Sequence, residues 1–287
     1  MSNNSKSVGK WLVPFLSLSV FVMAAGSAAA STYYVSNSGN DPADCTQTSP
    51  WKTMLKVQSC LGRLQPGDSV LFERGGIWYE ELDISGLNGN AGSPITFGNY
   101  GTGNLPIIDG GGTLGTVPTG YGYRNEGGPG IVGAVRHWCI GGKDSQMSYI
   151  TIDGFECRNT TNYGIAFENV SNGSAGIIVE NTYIHDTGDG DYDYHNQLEY
   201  TDYKFWSGAA NTKFLNNIVG NCYGHNCIEI HGDSGSPLIQ GNECYYWSHN
   251  CIDLHNDVGA VVDSNVATTA RAMSRTNQPS TLRPAAA

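Results

Sequence analysis

Short apolar segments recur along the second half of the chain, and each is followed by polar and turn-forming residues. The clearest copies are Ile152-Asp153-Gly154-Phe155, Val179-Glu180-Asn181-Thr182, Ile239-Gln240-Gly241-Asn242 and Val262-Asp263-Ser264-Asn265. A fifth copy, Leu215-Asn216-Asn217-Ile218, fits between the second and third if Phe214 takes the apolar position. Steps of 27, 36, 24 and 23 residues lead from Asp153 to Glu180, Asn216, Gln240 and Asp263. Irregular repeats of this length predict an all-β solenoid, a β-helix, in which each turn buries its apolar face on its neighbours.

A second strand in each turn predicts where polar side chains collect. The aligned segments are Ile165-Ala166-Phe167-Glu168, Tyr203-Lys204-Phe205-Trp206, Ile228-Glu229-Ile230-His231 and Ile252-Asp253-Leu254-His255. Because strand side chains alternate between faces, the first and third positions should enter the core, and the second and fourth should point outward. The two outward columns are Ala166, Lys204, Glu229, Asp253 and Glu168, Trp206, His231, His255. A one-residue slip in the Tyr203 turn would remove Lys204 and Trp206 from these columns.

The rest of the chain adds a cap and further turns. Apolar residues between Trp51 and Leu61 are spaced as in a short helix, which would cover the N-terminal end of the solenoid. Short strands separated by Gly and Asn turns follow as far as Gly110. Residues 111–135 are rich in glycine and weakly patterned, which predicts a long surface loop.

Both ends of the chain differ from this core. Residues 1–30 carry Lys6 and Lys10, then an apolar stretch, then Ala28-Ala29-Ala30, the pattern of a secretory signal peptide. We therefore expect a secreted or periplasmic protein with no membrane association after cleavage; a retained anchor is the alternative. Residues 31–268 would form the β-helix domain.

Residues 269–287 contain three arginines and no acidic residue, and no apolar repeat returns there. They are interpreted as a disordered or non-native tail, from a truncated or frame-shifted copy or as a linker to a partner. The C-terminal end of the solenoid would then be open, which would favour oligomerisation.

Charge limits the classes of partner. The chain has 15 Lys+Arg against 26 Asp+Glu, and all 26 acids lie in residues 31–268, where only ten of the basic residues remain. Such a surface excludes nucleic acid as a partner, because phosphate binding requires basic patches. It would also repel an acidic polymer unless bound cations or local Lys and Arg compensate.

Eight cysteines in an exported chain favour disulfides. Cys45 and Cys60 bracket the predicted helix, and we expect them to be bonded to each other. Cys227 and Cys251 occupy the same position in adjacent turns, either bonded or as a stacked pair of buried thiols. The pairing of Cys139, Cys157, Cys222 and Cys244 stays open.

Five segments of the N-terminal half carry a family resemblance. They are Tyr33-Tyr34-Val35-Ser36, Ser49-Pro50-Trp51-Lys52-Thr53, Leu64-Gln65-Pro66-Gly67-Asp68-Ser69-Val70, Ser93-Pro94-Ile95-Thr96-Phe97 and Pro106-Ile107-Ile108-Asp109-Gly110. Together they resemble the opening of secreted right-handed parallel β-helix proteins. That superfamily includes pectate and alginate lyases, alginate epimerases and some glycoside hydrolases. The resemblance implies the fold over residues 31–268, but its positions are cap, turn and core residues that do not specify the reaction.

The longest turn contains the segment from His185 to His195, which is rich in acidic residues and glycine. Its carboxylates stand at nearly alternate positions, a pattern that resembles an oxygen-ligand calcium loop. The predicted Ca²⁺ ligands are Asp186, Asp189, Asp191 and Asp193. The alternative is a solvated acidic loop with no cation.

These residues favour a polysaccharide lyase that cleaves a uronic-acid polymer by cation-assisted β-elimination. Calcium would neutralise the substrate carboxylate, and Lys204, His231 or His255 would serve as base and proton donor. Lysine or arginine is the typical base of β-helix lyases, and only Lys204 and Lys213 follow Arg158 within the core. Trp206 would offer a flat face to a sugar ring.

Three alternatives remain. Glu229 and Asp253, in adjacent turns, could be the carboxyl pair of a retaining glycoside hydrolase, which requires a separation of about 5 Å. The segment Ile252-Asp253-Leu254-His255-Asn256-Asp257 is similar to the Asp-Pro-His-containing motif of alginate C5-epimerases, although Leu254 replaces the proline. Otherwise the patch is a salt-bridged face of a non-catalytic carbohydrate-binding solenoid.

Overall fold

The structure is a computed structural model that describes residues 29–117, 128–134, 138–170, 173–188, 198–202, 211–223, 226–232, 235–247, 250–255 and 259–268. Nearly all of its regular structure is β. The strands, numbered in chain order, are β1 (Thr32–Val35), β2 (Ser69–Glu73), β3 (Ile77–Trp78), β4 (Leu82–Asp83), β5 (Ile95–Tyr100), β6 (Ile107–Asp109), β7 (Thr113–Val117), β8 (Gly128–Val132), β9 (Ile140–Lys143), β10 (Ile150–Asp153), β11 (Glu156–Arg158), β12 (Ile165–Val170), β13 (Ile178–Glu180), β14 (Tyr183–Thr187), β15 (Leu198–Asp202), β16 (Lys213–Leu215), β17 (Ile218–Cys222), β18 (Ile228–His231), β19 (Leu238–Gln240), β20 (Glu243–Trp247), β21 (Ile252–His255), β22 (Val261–Asp263) and β23 (Val266–Thr268).

The strands stack into three parallel sheets, and each turn of the chain contributes a strand to each sheet in order. Sheet 1 runs β1-β2-β5-β10-β13-β16-β19-β22, sheet 2 runs β3-β6-β11-β14-β17-β20-β23, and sheet 3 runs β4-β9-β12-β15-β18-β21. Sequential crossover into neighbouring parallel positions is the topology of a right-handed parallel β-helix. The predicted fold class is therefore confirmed.

The repeated segments lie in register in sheet 1, as their alignment predicts. Ile152 pairs with Val179, Val179 with Phe214, Phe214 with Ile239, and Ile239 with Val262. The apolar position is buried in every copy but the last, whose Val262 lies at the exposed end of the described solenoid. Phe214 fills it in the fifth copy, which is why Leu215 rather than Asn216 pairs with Glu180.

The third and fourth positions of the repeat form the corner between sheets 1 and 2. The third residue has a left-handed backbone in every copy, with φ between 55° and 73°, which favours Gly and Asn. The fourth position holds a ladder of buried amides, in which Asn217 donates to Asn242 and Asn242 donates to Asn265. These bonds satisfy polar groups that the turn would otherwise leave unpaired.

A short helix closes the N-terminal end. Helix α1 (Met54–Cys60) packs Met54, Val57 and Cys60 into the core, and Thr53 caps its N-terminus by accepting a hydrogen bond from the amide of Lys56. A 3₁₀ turn, Leu61–Arg63, follows it. The capping helix is thus confirmed, with shorter bounds than the apolar pattern suggested.

Two local predictions are wrong. The loop predicted at 111–135 contains the antiparallel pair β7–β8, inserted between β6 and β9, and the amide of Ile131 in β8 donates to the carbonyl oxygen of Gly188. Cys45 and Cys60 are both free thiols rather than a disulfide. Cys60 faces the core from the buried side of α1, whereas Cys45 occupies a partly exposed turn with φ 60°.

Disulfides form elsewhere. Cys222 bonds to Cys227, and Cys244 bonds to Cys251. Cys227 and Cys251 do share one position in adjacent turns, as predicted, but each is bonded across the corner of its own turn. Cys139 and Cys157 are buried free thiols.

The last described turn is open to solvent. Val261, Val262 and Val266 are each about half exposed. Residues 1–28 and 269–287, on which the signal-peptide and tail predictions rest, lie outside the described residues, so those predictions stand untested. In the part of the chain that the structure describes, no helix has the length and apolar character to cross a bilayer.

Candidate functional site

Sheet 3 carries the predicted outward columns, and its register corrects one member of each column. Residues of β18 pair with those of β21, so Glu229 lies beside Asp253 and His231 beside His255. The strand that precedes β18 is β15, in which Glu199 pairs with Glu229 and Thr201 pairs with His231. The predicted placement of the Tyr203 segment in this sheet is therefore wrong, because Leu198 and Tyr200 offer the same apolar alternation. Lys204 and Trp206 lie outside the described residues, and their roles stay predictions.

Glu229 and Asp253 form a bridged pair of carboxyl groups. Asn226, which is fully buried, donates from one side-chain nitrogen to Glu229 Oε2 at 2.8 Å and to Asp253 Oδ2 at 3.0 Å. Because a single nitrogen bonds both oxygens, the two carboxyl groups lie within about 6 Å of each other, near the separation of retaining glycosidases. Glu229 is more buried than expected for an outward position, but it lies outside the apolar core, which contains its neighbours Ile228 and Ile230.

Two histidines stand beside this pair. His255 contacts Asp253 Oδ2 through Nε2 at 3.1 Å, and the rings of His231 and His255 lie 4.9 Å apart. Burial alone would raise the pKa of Asp253, but hydrogen bonds from His255, Asn226 and Asn250 outweigh it and lower that pKa. Asp253 is therefore held as a carboxylate at neutral pH, while Glu229 lies beside it on the same amide.

The disulfide Cys222–Cys227 closes the corner loop between sheets 2 and 3. Tyr223 and Asn226 both belong to this loop, on the two sides of the corner. Tyr223 donates to Asp186, and Asn226 donates to the carboxyl pair. In the next turn, the disulfide Cys244–Cys251 closes the corresponding corner loop. The two loops are joined, because the backbone amide of Asn250 donates to Asn226 Oδ1 at 3.1 Å. The loop thus joins the carboxyl pair to a second polar cluster.

The second cluster is centred on Asp186, at the C-terminal end of β14. Its Oδ2 contacts His185 Nδ1 at 2.6 Å, and its Oδ1 accepts hydrogen bonds from Asn221 at 2.8 Å and Tyr223 at 3.3 Å. Burial alone would raise the pKa of Asp186, but His185, Asn221 and Tyr223 outweigh it and lower that pKa. Burial and the adjacent Asp186 carboxylate raise the pKa of Tyr223 well above its usual value, so its hydroxyl remains a donor.

The cluster continues along sheet 2 toward the N-terminus. His185 Nε2 faces Glu156 Oε1 at 3.4 Å, and Arg158 bonds both Glu156 and Asp109, at 2.8 and 2.7 Å. Burial alone would lower the pKa of His185, but its contacts with Asp186 and Glu156 outweigh it and raise that pKa. Arg158 is therefore committed to two buried carboxylates and offers little charge to a ligand.

Asp186 also belongs to a column of left-handed residues at this corner. Asn159, Asp186, Asn221 and Tyr246 occupy equivalent positions with φ between 47° and 58°. Asn and Asp tolerate this conformation, but an aromatic residue there is strained. Tyr246 is half exposed and lies one turn beyond Asn221.

Only one of the four predicted Ca²⁺ ligands lies among the described residues. Asp186 is described, and its carboxylate already accepts two hydrogen bonds and contacts His185. Asp189, Asp191 and Asp193 lie outside the described residues. Within those residues, no group of three or more His, Cys, Asp or Glu side chains is arranged to hold a metal ion. The calcium site stays a prediction.

Several residues of the site were missed from the sequence, although one signal was present. Asn226-Cys227-Ile228-Glu229-Ile230-His231 and Asn250-Cys251-Ile252-Asp253-Leu254-His255 are nearly the same hexapeptide. The repeat includes the amide and the cysteine as well as the acid and the histidine. The Asp109–Arg158–Glu156–His185 chain left no comparable signal, because its members are spread over three turns.

Known proteins that share the fold of this chain are named for two different reactions. No family model matches the chain. It is 34% identical over 141 residues to a lacto-N-biosidase of Bifidobacterium longum subsp. longum, a match that covers 47% of this chain and 9% of that protein. Among solved structures it is similar to a GH136 lacto-N-biosidase from Eubacterium ramulus, with 19% identity and a TM-score of 0.52. It is also similar to an alginate lyase from Paenibacillus sp. str. FPU-7, with 17% identity and a TM-score of 0.55.

The extent of these matches limits what they establish. The match to the biosidase structure covers 82% of this chain and 55% of that structure. The match to the lyase structure covers 83% of this chain and 66% of that structure. It spans about a tenth of the curated biosidase. The similarities confirm the parallel β-helix fold. All three proteins are named for activities on carbohydrates, with hydrolysis and elimination both represented.

Proposed function

We propose that the protein is a carbohydrate-active enzyme that hydrolyses a glycosidic bond, with Glu229 and Asp253 as its carboxyl pair. The observation that carries the proposal is the Asn226 bridge, which fixes the two groups in adjacent turns within about 6 Å. The stretch that is 34% identical to a lacto-N-biosidase supports hydrolysis rather than elimination.

The hydrogen bonds of Asp253 suggest how the two roles are divided. Asp253, with its lowered pKa, would attack the anomeric carbon as the bond to the leaving sugar breaks, and Glu229 would give its proton to the leaving oxygen. Glu229 would then take a proton from water, whose oxygen displaces Asp253 from the sugar and releases the product. His255 would hold the attacking carboxylate in position through its 3.1 Å contact.

The charge at this corner favours a neutral substrate. Asp109, Glu156 and Asp186 lie on one side of the disulfide loop and the carboxyl pair lies on the other. Among the described residues here, Arg158 is bound to Asp109 and Glu156, and His185 contacts Glu156 and Asp186. The described carboxyl groups outnumber these cations, so a uronic-acid polymer would be repelled more than a neutral oligosaccharide.

Asp186 is a third carboxylate that the same reaction could use. It is ionised and held by His185, Asn221 and Tyr223, and it begins the long insertion of its turn. If Asp186 rather than Asp253 is the nucleophile, its partner acid would come from the acidic segment after Gly188. Substituting both aspartates separately distinguishes the two assignments.

A lyase is the second candidate, and the pair His231 and His255 favours it. Two adjacent imidazoles could share base and acid roles on a uronate, with Ca²⁺ bound by Asp186, Asp189, Asp191 and Asp193 and with Lys204 as an alternative base. The fold similarity to an alginate lyase is compatible with this chemistry. Elimination creates a double bond that absorbs near 235 nm, which hydrolysis does not.

The deciding experiment incubates the protein with neutral oligosaccharides, alginate and pectate, each with and without a chelator. Hydrolysis predicts new reducing ends from a neutral glycan, unchanged absorbance at 235 nm and no effect of the chelator. Glu229→Gln and Asp253→Asn should each lower turnover by at least about 100-fold. Asp263→Asn, which changes an exposed carboxylate on sheet 1, is the matched control and should retain full activity. Chelator-sensitive release of unsaturated products would replace this proposal with the lyase.

We also propose that the protein is exported. The two disulfides and the signal-like residues 1–30 support export, because such bonds persist in oxidising compartments. Mass spectrometry of protein recovered outside the cytoplasm should show an N-terminus close to Ser31. A full-length N-terminus would contradict cleavage.

A further inference from the structure

Asn226 is a neutral side chain with an unusual set of partners. It is fully buried, and its nitrogen donates to two carboxyl groups from different turns. Its oxygen is occupied as well, since it accepts the backbone amide of Asn250. Both hydrogens of the amide nitrogen are therefore directed at the carboxyl pair, and the amide oxygen is tied to the next turn.

We infer that Asn226 is the positioning residue of the carboxyl pair, and this inference rests on the proposed function. An amide nitrogen has two hydrogens and cannot accept a proton at neutral pH. It therefore keeps Oε2 of Glu229 and Oδ2 of Asp253 as acceptors, so a proton on the pair is directed to the other oxygen of its carboxyl group. That arrangement keeps the proton away from the bridge.

The same amide also helps to keep Asp253 ionised. The bond from Asn226 is one of those that hold the pKa of Asp253 below its usual value. Two adjacent carboxyl groups without a shared donor repel each other when both are charged, which raises the pKa of one of them. A fixed neutral donor between them relieves this repulsion without adding a charge that titrates.

The disulfide Cys222–Cys227 gives the amide its fixed position. It closes a loop with a sequence separation of only five residues, so Asn226 is tied next to one of the bonded cysteines. Asn250 stands at the equivalent place beside Cys251 in the next turn, and it supports Asn226 from that side. The carboxyl pair is thus held by a covalently restrained amide rather than by a mobile side chain.

The test compares three variants at Asn226 with a structural asparagine. Asn226→Ala removes both donors, Asn226→Ser restores one, and Asn226→Asp replaces the donors by a third acid. The control is Asn242→Ala, which removes an equally buried amide from the ladder at the other corner. All four proteins are first checked for a cooperative unfolding transition.

The main readout is the pH profile of kcat/KM on the neutral glycan that the wild type cleaves. Its acid limb reports the ionisation of the essential carboxylate in the free enzyme. Asn226→Ala should move that limb upward by about one pH unit, and Asn226→Ser should move it by less. Asn226→Asp should lower turnover at least about 100-fold. Asn242→Ala should lower the unfolding midpoint and leave the limb in place.

A titration of the Asp253 carboxyl carbon by NMR, in wild type and in Asn226→Ala, gives a readout that needs no turnover. A pKa of Asp253 that rises in the variant supports the bridge even if no glycan is cleaved, in which case the proposed hydrolysis alone fails. An unchanged Asp253 titration in folded Asn226→Ala overturns the inference. The inference is also overturned if Asn242→Ala moves the acid limb of the pH profile as far as Asn226→Ala does.

Discussion

The outward column of sheet 3 changes character along the solenoid. In the N-terminal turns it holds Gly141 and Ala166, which lie beneath the buried rings of Trp138 and Tyr163. In the C-terminal turns the same column holds carboxyl groups, bonded by an amide that occupies the position of those rings. Trp138 and Asn226 occupy equivalent positions, since each stands two residues before a strand of sheet 3, β9 and β18 respectively.

The two regions show how little of the chemistry the fold itself dictates. Parallel stacking fixes the positions and their spacing, while the residue types decide whether a position is dry and apolar or polar and ionised. An aromatic ring above a small residue gives a packed, inert surface. An asparagine above an acid gives a polar site on the same backbone.

The largest effect is expected when an acid is placed in the apolar, N-terminal part of the column. Ala166→Glu should lose about 3–5 kcal/mol of stability or fail to fold at neutral pH, because a carboxylate beneath the rings of Trp138 and Tyr163 would lose its hydration. Urea unfolding measures the loss. Ala166→Gln, which has the same shape without the charge, separates overpacking from ionisation. Equal losses in both variants would contradict the electrostatic explanation.

Adding one methyl group to the same half tests how tightly the rings cover it. A Cβ on Gly141 would lie 2.9 Å from the Trp138 ring and 2.7 Å from the carbonyl oxygen of Ala166. Gly141→Ala should therefore cost about 1–3 kcal/mol in the free energy of unfolding. Gly92→Ala is the control, since a Cβ there meets nothing within 4 Å. Matching unfolding curves for the two variants would disprove the tight cover.

Acidification should separate the two regions without any mutation. The folded pKa of Asp253 is lowered, so its carboxylate contributes stability that is present above its unfolded pKa of about 3.9 and is lost as pH falls through the folded pKa. Hydrogen exchange at decreasing pH should show the two turns that contain β18 and β21 losing protection before the two that contain β9 and β12. Asp253→Asn should remove part of this pH dependence. Simultaneous loss in both regions would argue against local titration.

The smallest effect is expected where the corner column reaches Tyr246. Its φ of 47° strains a residue with a bulky side chain, whereas glycine adopts this conformation freely. Tyr246→Gly should therefore raise the free energy of unfolding by up to about 1 kcal/mol. Asn221→Gly is the comparison at the equivalent position, where the loss of the bond to Asp186 should make the variant less stable. A destabilised Tyr246→Gly would show that the ring contributes packing.

Period and alternation were enough to predict the fold, but the site was only partly predictable. The repeat in sheet 1 predicted its register because apolar, turn and amide positions all recur together. In the long turn, two neighbouring segments share the same alternation, so alternation alone does not show that Leu198 rather than Tyr203 begins the strand. The hairpin β7–β8 was missed because its glycine-rich strands carry almost no period.

The polar site was only partly predictable for a different reason. Glu229, Asp253, His231 and His255 stand at alternate positions of short strands, so their proximity follows from register. Asn226 precedes its strand and has no charge, and its importance depends on a loop closure that alternation does not encode. Only the recurrence of the Asn-Cys dipeptide in the next turn indicated that the amide belonged to the unit.

The paired corner loops have a consequence for how such a protein could be lengthened. From Asn226 to Asn250 the chain advances by 24 residues and returns to the same amide, cysteine, acid and histidine. A duplicated 24-residue unit would carry its own restraint and its own acid, and would extend the row by one strand spacing of about 4.8 Å. Such a segment is a portable module, which a designer could copy to match the reach of the molecule to a longer glycan.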